Sequence, residues 1–528
     1  MSKIVRKVPV EVQNRSGFNV SHSNSFTAHC GTLMPILVDH IMPNTTIHLD
    51  AMCEVNLPPS VSDFYGTIEA RMEFFFVPYR VIWAGWKYFF TQPPQGGNTL
   101  IPSNPTNLQI TKLPNAQLDY QNQKKLSAVG GLGDMLGFKD IEISSTIPFE
   151  LPNILPFVAY QKIYDDFYRD SRITQPLFYP PQARAVSDSW KHLPFVLNNT
   201  DESKVGSVTG LFDLHQRCWD KDYFTNATTQ PQAGDASILE FEIDTNAGIG
   251  SFSISSLRTA NSLQRFAEVN NLAGQRMADQ QYARFGCYPS DAALDKPLYL
   301  GQKRFSIYKR SVYQQSAEFG ADEVINPFTG KLGNKVSALS GRGEGFLGKF
   351  HAKDSGLIFV MFSLVPQAVY STGTRRYLSY SKLSDFPEPL LQSVGDQPIY
   401  SFELGKANTL DKTKIFGYTQ RFAEAKFMND EVHGLLRDGQ NLECFQLQRS
   451  FGPTDSLGSL LNTAFLEIPQ NYLDQVTTSS TAVSEFGCWC NAYFNYKKVE
   501  PLAGYSLATL GEPKDTHTVI IDAGGKRL

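Results

Sequence analysis

Few stretches of this chain combine residue types with a spacing that could do chemistry. Gly343-Glu-Gly-Phe-Leu-Gly-Lys349 has most of the glycines and the lysine of a phosphate-binding loop. Such a loop cradles phosphates on backbone N–H groups and uses a following Ser or Thr hydroxyl to hold magnesium. Phe350 stands where that hydroxyl belongs and no helical pattern follows, so the stretch reads as a glycine-rich connection into an apolar strand at Leu357. Gly131-Leu-Gly133 lacks a preceding strand and reads as a turn. Cys488-Trp-Cys490 offers two soft ligands. On a strand both thiols share one face with Cα atoms about 6.8 Å apart. No further Cys or His is near in sequence, so core cysteines are expected. Asp165-Asp166 falls in a helical pattern beside Arg169, where solvated charge is the default. The nine histidines form neither H-E-x-x-H nor an i, i+4 pair, and there is no G-x-S-x-G elbow. No catalytic, metal or cofactor residue is assigned, and the chain is expected not to be an enzyme.

The remaining polar signal is basic. Lys3, Arg6, Lys7 and Arg15 charge an N-terminal arm of residues 1–24, and Arg375-Arg376 and Lys526-Arg527 make two smaller spots. The arm is either a DNA or inner-shell contact or ordinary solvated surface. A net charge of −4 excludes the chain as the main neutraliser of a nucleic acid, which requires Lys and Arg in excess.

The elements that must position these residues are mostly strands. Thr46 to Leu57 alternates, with Ile47, Leu49, Ala51, Cys53, Val55 and Leu57 against His48, Asp50, Glu54 and Asn56. Thr67 to Val77 repeats the device, with Ile68, Ala70, Met72, Phe74 and Phe76 opposite Thr67, Glu69, Arg71 and Glu73. With Leu33–Val38 these predict an antiparallel sheet with one apolar face. Further strands are expected at Ile238–Ile243, Phe305–Tyr313, Leu357–Val365 and Phe486–Tyr496. Helices are expected from Tyr79 to Phe90, along Phe157, Tyr160, Tyr164 and Phe167, and across Leu257–Phe285. Strand and helix do not alternate as βαβ units would. The fold class is therefore all-β, a jelly roll with long, partly helical insertion loops.

At 528 residues the chain is long for one domain, yet it has no linker, repeat or charge block. It is read as a single domain over residues 25–528, with large insertions at about 78–302 and 371–485. Charged residues are 19% and aromatics 12%, with 37 Phe and 23 Tyr, a bias that suits either a large core or a contact surface between subunits. Candidate intersubunit contacts are Trp83, Trp86, Tyr160, Tyr164 and Tyr168, on two stripes that face either a neighbour or their own core. Seven cysteines make an odd set without framework spacing, which points to reduced thiols and cytoplasmic assembly. The opening MSKIVRKVPVEVQNR has no apolar segment of a signal peptide, and the greasiest run, Phe74 to Phe90, is interrupted by Pro78, Arg80 and Lys87. A soluble protein made without export is expected, against the rival of a secreted carbohydrate-binding or glycoside-cleaving β-sandwich.

Several phrases in order resemble the major capsid proteins of the microviruses, the gokushovirus-like branch of the Microviridae in particular. They are RSGFNVSHSNSFTAHCGTLMPILVDHIMPNTTI, FFFVPYRVIWAGW, LPFVAYQKIYDDFYRD, WDKDYFTNATTQPQAG, LRTANSLQRFAEVNNLAGQRMADQQYARFG, FGYTQRFAEAKF and YFNYKKVEPLAGYS, spanning Arg15 to Ser506. The resemblance implies an eight-stranded jelly roll and a T=1 icosahedral shell around circular single-stranded DNA in a tailless bacteriophage. It also implies partners: further copies of the chain, a DNA pilot protein, small basic or scaffolding proteins, and the bacterial host surface. In that branch a long insertion after the PQxG phrase builds three-fold protrusions. Here only Asp235 to Ser256 fills the interval, so any protrusion is expected to be reduced or built from another loop, such as Asn334 to Gly348.

Overall fold

The computed structural model describes residues 6–11, 15–57, 64–83, 86, 116–118, 120–139, 141–145, 149–174, 177–179, 196–197, 210–231, 281–283, 285, 296–313, 335–392, 395–453, 461–477, 487–502 and 516–521. Lys3, Lys526-Arg527, the expected strand Ile238–Ile243, the interval Asp235–Ser256 and all but four residues of the expected helices at Leu257–Phe285 lie outside these.

Eight strands build a sandwich: β1 (His22–Ala28), β2 (Met34–Ile41), β3 (Thr45–Asn56), β4 (Ile68–Pro78), β5 (Leu298–Ser306), β6 (Lys335–Ala352), β7 (Gly356–Pro366) and β8 (Cys488–Glu500). One sheet has the order β1-β8-β3-β6 and the other β2-β7-β4-β5, every pairing antiparallel. Apart from β4 to β5, each successive strand crosses to the opposite sheet, which is jelly-roll connectivity. The intervals 79–297 and 367–487 leave and re-enter this sandwich. Ser16–Asn19, assigned above to the arm, extends the first sheet by pairing with β8. Tyr308–Tyr313 extends it on the other side by pairing with β6. Arg6–Glu11 pairs with Thr516–Ile521.

The three early strands do not form one sheet as expected. β2 and β4 flank β7, whereas β3 lies between β8 and β6 in the opposite layer. Their apolar faces match in sequence because both layers turn toward one core, where Ile47, Leu49 and Val55 meet Met72, Phe74, Phe76, Ile358, Val360 and Phe362. Asn334–Gly348, read as a loop, is strand from Lys335 onward.

The second sheet is covered on its outer face too. Phe75, Val77, Leu357, Phe359 and Met361 pack there against α1 (Leu155–Ile163), where Phe157, Val158, Tyr160 and Ile163 are buried. Every residue of β7 is buried, which explains the continuous apolar run from Leu357 to Phe362. The helix widens into a π-helical turn at Tyr164–Tyr168, closed by the Arg169 N–H donating to the Tyr164 carbonyl. Of the helix expected at Tyr79–Phe90, Tyr79–Ile82 is helical with Pro78 as the residue before it, and residues 84–85 and 87–90 lie outside the described residues. A third core joins the two insertions, setting Tyr223 and Phe224 of the first against Ile399, Phe416 and Phe465 of the second.

Candidate functional site

The aromatic stripes proposed for intersubunit contact turn inward. Trp83, Tyr160, Tyr164 and Tyr168 are buried within this chain, and only Trp86 is half-buried. The three tyrosines follow i, i+4, i+8 spacing, so they share one helical face, and each hydroxyl is bound internally. Tyr160 donates to the Leu33 carbonyl (2.9 Å) and accepts from the His215 N–H (3.0 Å), tying the helix to the start of β2. Tyr164 donates to Glu467 (3.4 Å) and stacks on the His215 ring at 3.8 Å. Tyr168 donates to Glu73 on β4, and the Arg217 guanidinium both lies over its ring and pairs with Glu73 at 2.7 Å. These residues are therefore the joint between sandwich and insertion, not a surface.

The same joint overturns the polar face assigned to β4. Glu69, Arg71 and Glu73 project away from the sandwich core, but the insertion covers them, leaving Arg71 3% and Glu73 7% exposed. Arg71 reaches Asp220 at 2.6 Å and Glu69 at 2.8 Å. Hydrogen bonding to Arg71 holds the Asp220 carboxyl below the usual range. A buried charge missing its partner costs several kcal/mol, so this seam fixes how the insertion sits on the sheet. Asp165 and Asp166, read as solvated, are drawn into the same helix region and pair with Arg169 (2.6 Å) and Lys162 (3.1 Å).

The basic pair Arg375-Arg376 is neutralised. Arg375 meets Glu431 at 2.8 Å, and Arg376 meets Glu403 at 3.2 Å and Glu424 at 3.5 Å. Burial nevertheless raises the Glu403 carboxyl, against the pull of Arg376. Both arginines line a cleft of about 830 Å³ with Tyr223, Tyr377, Tyr380 and Phe427. Behind it the Arg449 guanidinium lies over Trp219 (4.7 Å) and Phe465 (4.5 Å) and donates to the Tyr370 hydroxyl at 3.0 Å, holding the third core together. Of the arm residues, Arg6 and Lys7 lie on the strand paired with Thr516–Ile521. Arg15 is exposed and donates to the Thr46 hydroxyl at 3.0 Å.

The glycine-rich Gly343–Lys349 stretch is neither phosphate loop nor connection. It is the body of β6, laid along β3 with a bulge between Phe346 and Gly348, so its backbone follows a ladder instead of wrapping an anion. Cys488 and Cys490 face the core as expected, beside free Cys53. Burial pushes the Cys53 and Cys488 thiols up to about 12 and holds Cys490 well above its ordinary value. Protonated thiols are poor nucleophiles and poor ligands. Among the described residues no three His, Cys, Asp or Glu side chains converge as a metal would need, and no helix is long and apolar enough to cross a membrane.

Exposed apolar surface gathers instead on the second insertion. Of the twenty-one large apolar side chains exposed among the described residues, eleven fall between Tyr377 and Leu442, including Leu383, Phe386, Leu390, Phe427, Met428 and Leu435. Isolated exposed leucines are ordinary, but such density within one segment marks a surface that another molecule covers.

A jelly-roll sandwich whose loops carry this much uncovered apolar surface defines a class of β-protein built to associate. Residues 6–250 and 240–510 match the family described as capsid protein (F protein), and the chain belongs to that family. It is 22% identical to capsid protein VP1 of Chlamydia phage 1 and 22% identical to capsid protein VP1 of Bdellovibrio phage phiMH2K, each alignment covering 96% of this chain and 97% of the relative. It is 20% identical to capsid protein VP1 of Spiroplasma virus 4, over 84% of this chain and 87% of that protein.

Proposed function

We propose that the chain is the structural major capsid subunit of a small tailless bacteriophage, and that its copies close into an icosahedral shell around a circular single-stranded DNA. The observation that carries this reading is the band of exposed apolar side chains from Tyr377 to Leu442 on a chain of a capsid family. Contacts that are individually weak gain strength through multiplicity, and closed point symmetry ends growth at a particle. One jelly-roll domain supplies the wall, with Ser16–Asn19 and His22–Ala28 drawn into its sheet ahead of the boundary expected at residue 25, and the insertions supply the seams. Cations or small basic viral proteins offset the packaged phosphates, because the net charge of −4 cannot. A pilot protein and the host surface complete the partners, and reduced thiols suit assembly in the host cytoplasm before the subunit resides in the virion.

The test is expression of the full chain followed by electron microscopy and an assay for nuclease-protected circular DNA. Uniform particles are expected from the unaltered chain, and a triple variant Leu383→Asp, Leu390→Asp, Met428→Asp is expected to stay as folded subunits. Because the contacts are sparsely ionic, particles should survive about 1 M salt, where the screening length shrinks to roughly 3 Å. A persistent monomer at all concentrations, or particles that the triple variant builds as well as the parent, would refute the reading.

A further inference from the structure

One end of the sandwich core is closed by charge. β8 turns Cys488, Cys490, Ala492, Phe494 and Tyr496 inward at alternate positions, and the same alternation carries Lys498 and Glu500 to the inner face, where a strand between two sheets normally places apolar residues. On the opposite sheet Asp39 of β2 alternates with core residues Leu37 and Ile41 and so faces the same gap. Glu500 is buried, and the Lys498 side chain is only 15% exposed. The Lys498 Nζ stands 3.2 Å from the Asp39 Oδ2 and 3.2 Å from the Glu500 Oε1. The buried Tyr496 hydroxyl donates to the same Asp39 oxygen at 2.8 Å. One amine thus touches a carboxylate of the opposite sheet and a carboxylate of its own strand.

We propose that Lys498 and Asp39 condense into an isopeptide bond that ties the two sheets of the sandwich together, with Glu500 carrying the protons and Tyr496 holding the carbonyl oxygen. The bond forms within one folded subunit, whether or not copies of it assemble. Glu500 takes a proton from the Lys498 ammonium, and the freed amine attacks the Asp39 carboxyl carbon. The Tyr496 hydroxyl bonds Oδ2, where negative charge develops as the carbon becomes tetrahedral. Two of the three ammonium protons pass through Glu500 to Oδ1, which leaves as water, and the third stays on the amide nitrogen. One ammonium and one carboxylate become one amide and one water, with no oxidant or other reactant.

Two effects drive the step. Groups held side by side react as though at about 10⁵–10⁸ M, which offsets the pull of water toward hydrolysis. Condensation also removes an ion pair from the end of a core, where charge is costly to keep. Burial works to lower the Lys498 amine, but Asp39 and Glu500 outweigh it and hold it above its ordinary value. The amine is therefore seldom free, and the bond forms slowly, after folding. Burial, with Asp39 adding to it, raises the Tyr496 hydroxyl and keeps it a donor throughout. An ion pair alone would ask for neither the second carboxylate nor the buried hydroxyl on the reacting group.

The experiment keeps the full-length chain folded at neutral pH for days, denatures it and measures its intact mass. The parent should be about 18 Da lighter than its sequence, the mass of one water. Proteolysis should then yield a branched peptide joining the segment that holds Asp39 to the segment that holds Lys498. Lys498→Arg keeps a cation against Asp39 but has no amine to condense, so it should keep its full mass. Glu500→Gln keeps the size of the side chain without the proton carrier and should condense at least about 10-fold more slowly. A parent that stays at full mass overturns the bond. So does a loss of water that persists in Lys498→Arg, since the chain would then be cyclising at an aspartate on its own backbone. Condensation as fast in Glu500→Gln as in the parent would remove the proton carrier and overturn the mechanism with it. Failure of the unaltered chain to build particles strikes the capsid reading alone and alters none of these masses.

Discussion

His215 should make the subunit measurably less stable at mildly acidic pH. Its ring lies against Tyr164 at 3.8 Å, its Nε2 meets the Gln161 side-chain oxygen, and its backbone N–H binds the Tyr160 hydroxyl. Gln161 spends its amide N–H groups on the carbonyls of Gly210, Leu211 and Asp213, so its oxygen accepts and the neutral imidazole must donate from Nε2. Burial lowers the imidazole from 6.5 to about 4, against the opposing pull of Asp213 and Asp165. Between those two values the unfolded chain binds the proton and the folded chain does not, so stability rises with pH across that window. Moving from about pH 7 to pH 5 should cost roughly 2 kcal/mol. Spread over the unfolding entropy of so long a chain, this is a fall in melting temperature of about 2 °C beyond that of a non-titrating variant. His215→Gln keeps a donor toward Gln161 and removes the titration. The comparison is the difference in melting temperature between the two pH values, parent against variant, by calorimetry on assembly-deficient subunits. Equal shifts in both proteins would show that the ring is protonated freely in the folded state, and the account of this joint would fail.

Two further outcomes follow from the same geometry. Glu73→Ala should destabilise the subunit by about 3–5 kcal/mol, because it strands the Arg217 cation and the Tyr168 hydroxyl in a covered seam. Glu73→Leu combined with Arg217→Met should restore most of that in urea unfolding. A thiol reagent at neutral pH should leave Cys53, Cys488 and Cys490 untouched in the folded subunit and modify them on denaturation, which mass spectrometry of the labelled peptides resolves.

Strands announced themselves in sequence wherever one face met the core and the other met water. Thr45–Asn56 and Cys488–Glu500 were readable for that reason, since His48, Asp50 and Glu54 or Trp489, Asn491 and Tyr493 mark the alternate positions. Leu357–Pro366 was readable by the opposite signature, an unbroken apolar run. β1 was hidden because His22–Ala28 is mostly small and polar, with little more than Phe26 and Ala28 to signal a core face. β6 was hidden behind its glycines, which suggested a loop although the pairing with β3 is set by tertiary contact. The candidate contact residues stay ambiguous in sequence for one reason. A helical stripe of Tyr160, Tyr164 and Tyr168 records that one face is covered but not by whom, and only the bonds to Leu33, Glu467 and Glu73 identify the cover as the chain itself. The charged face of β4 misled in the same way, because Arg71 and Glu73 look solvated until Asp220 and Arg217 arrive from more than a hundred residues away.

The sheet β2-β7-β4-β5, packed on both sides, makes the subunit a three-ply laminate of the β1-β8-β3-β6 sheet, this middle sheet and a helical layer. Its plies are glued by apolar contact along the whole of β7 and pinned against sliding by the Arg71 and Glu73 ion pairs. Such a board resists bending most where its middle ply cannot shear. In the shell proposed above, outward pressure would make yielding begin at the loop seams between boards, with each board coming away whole.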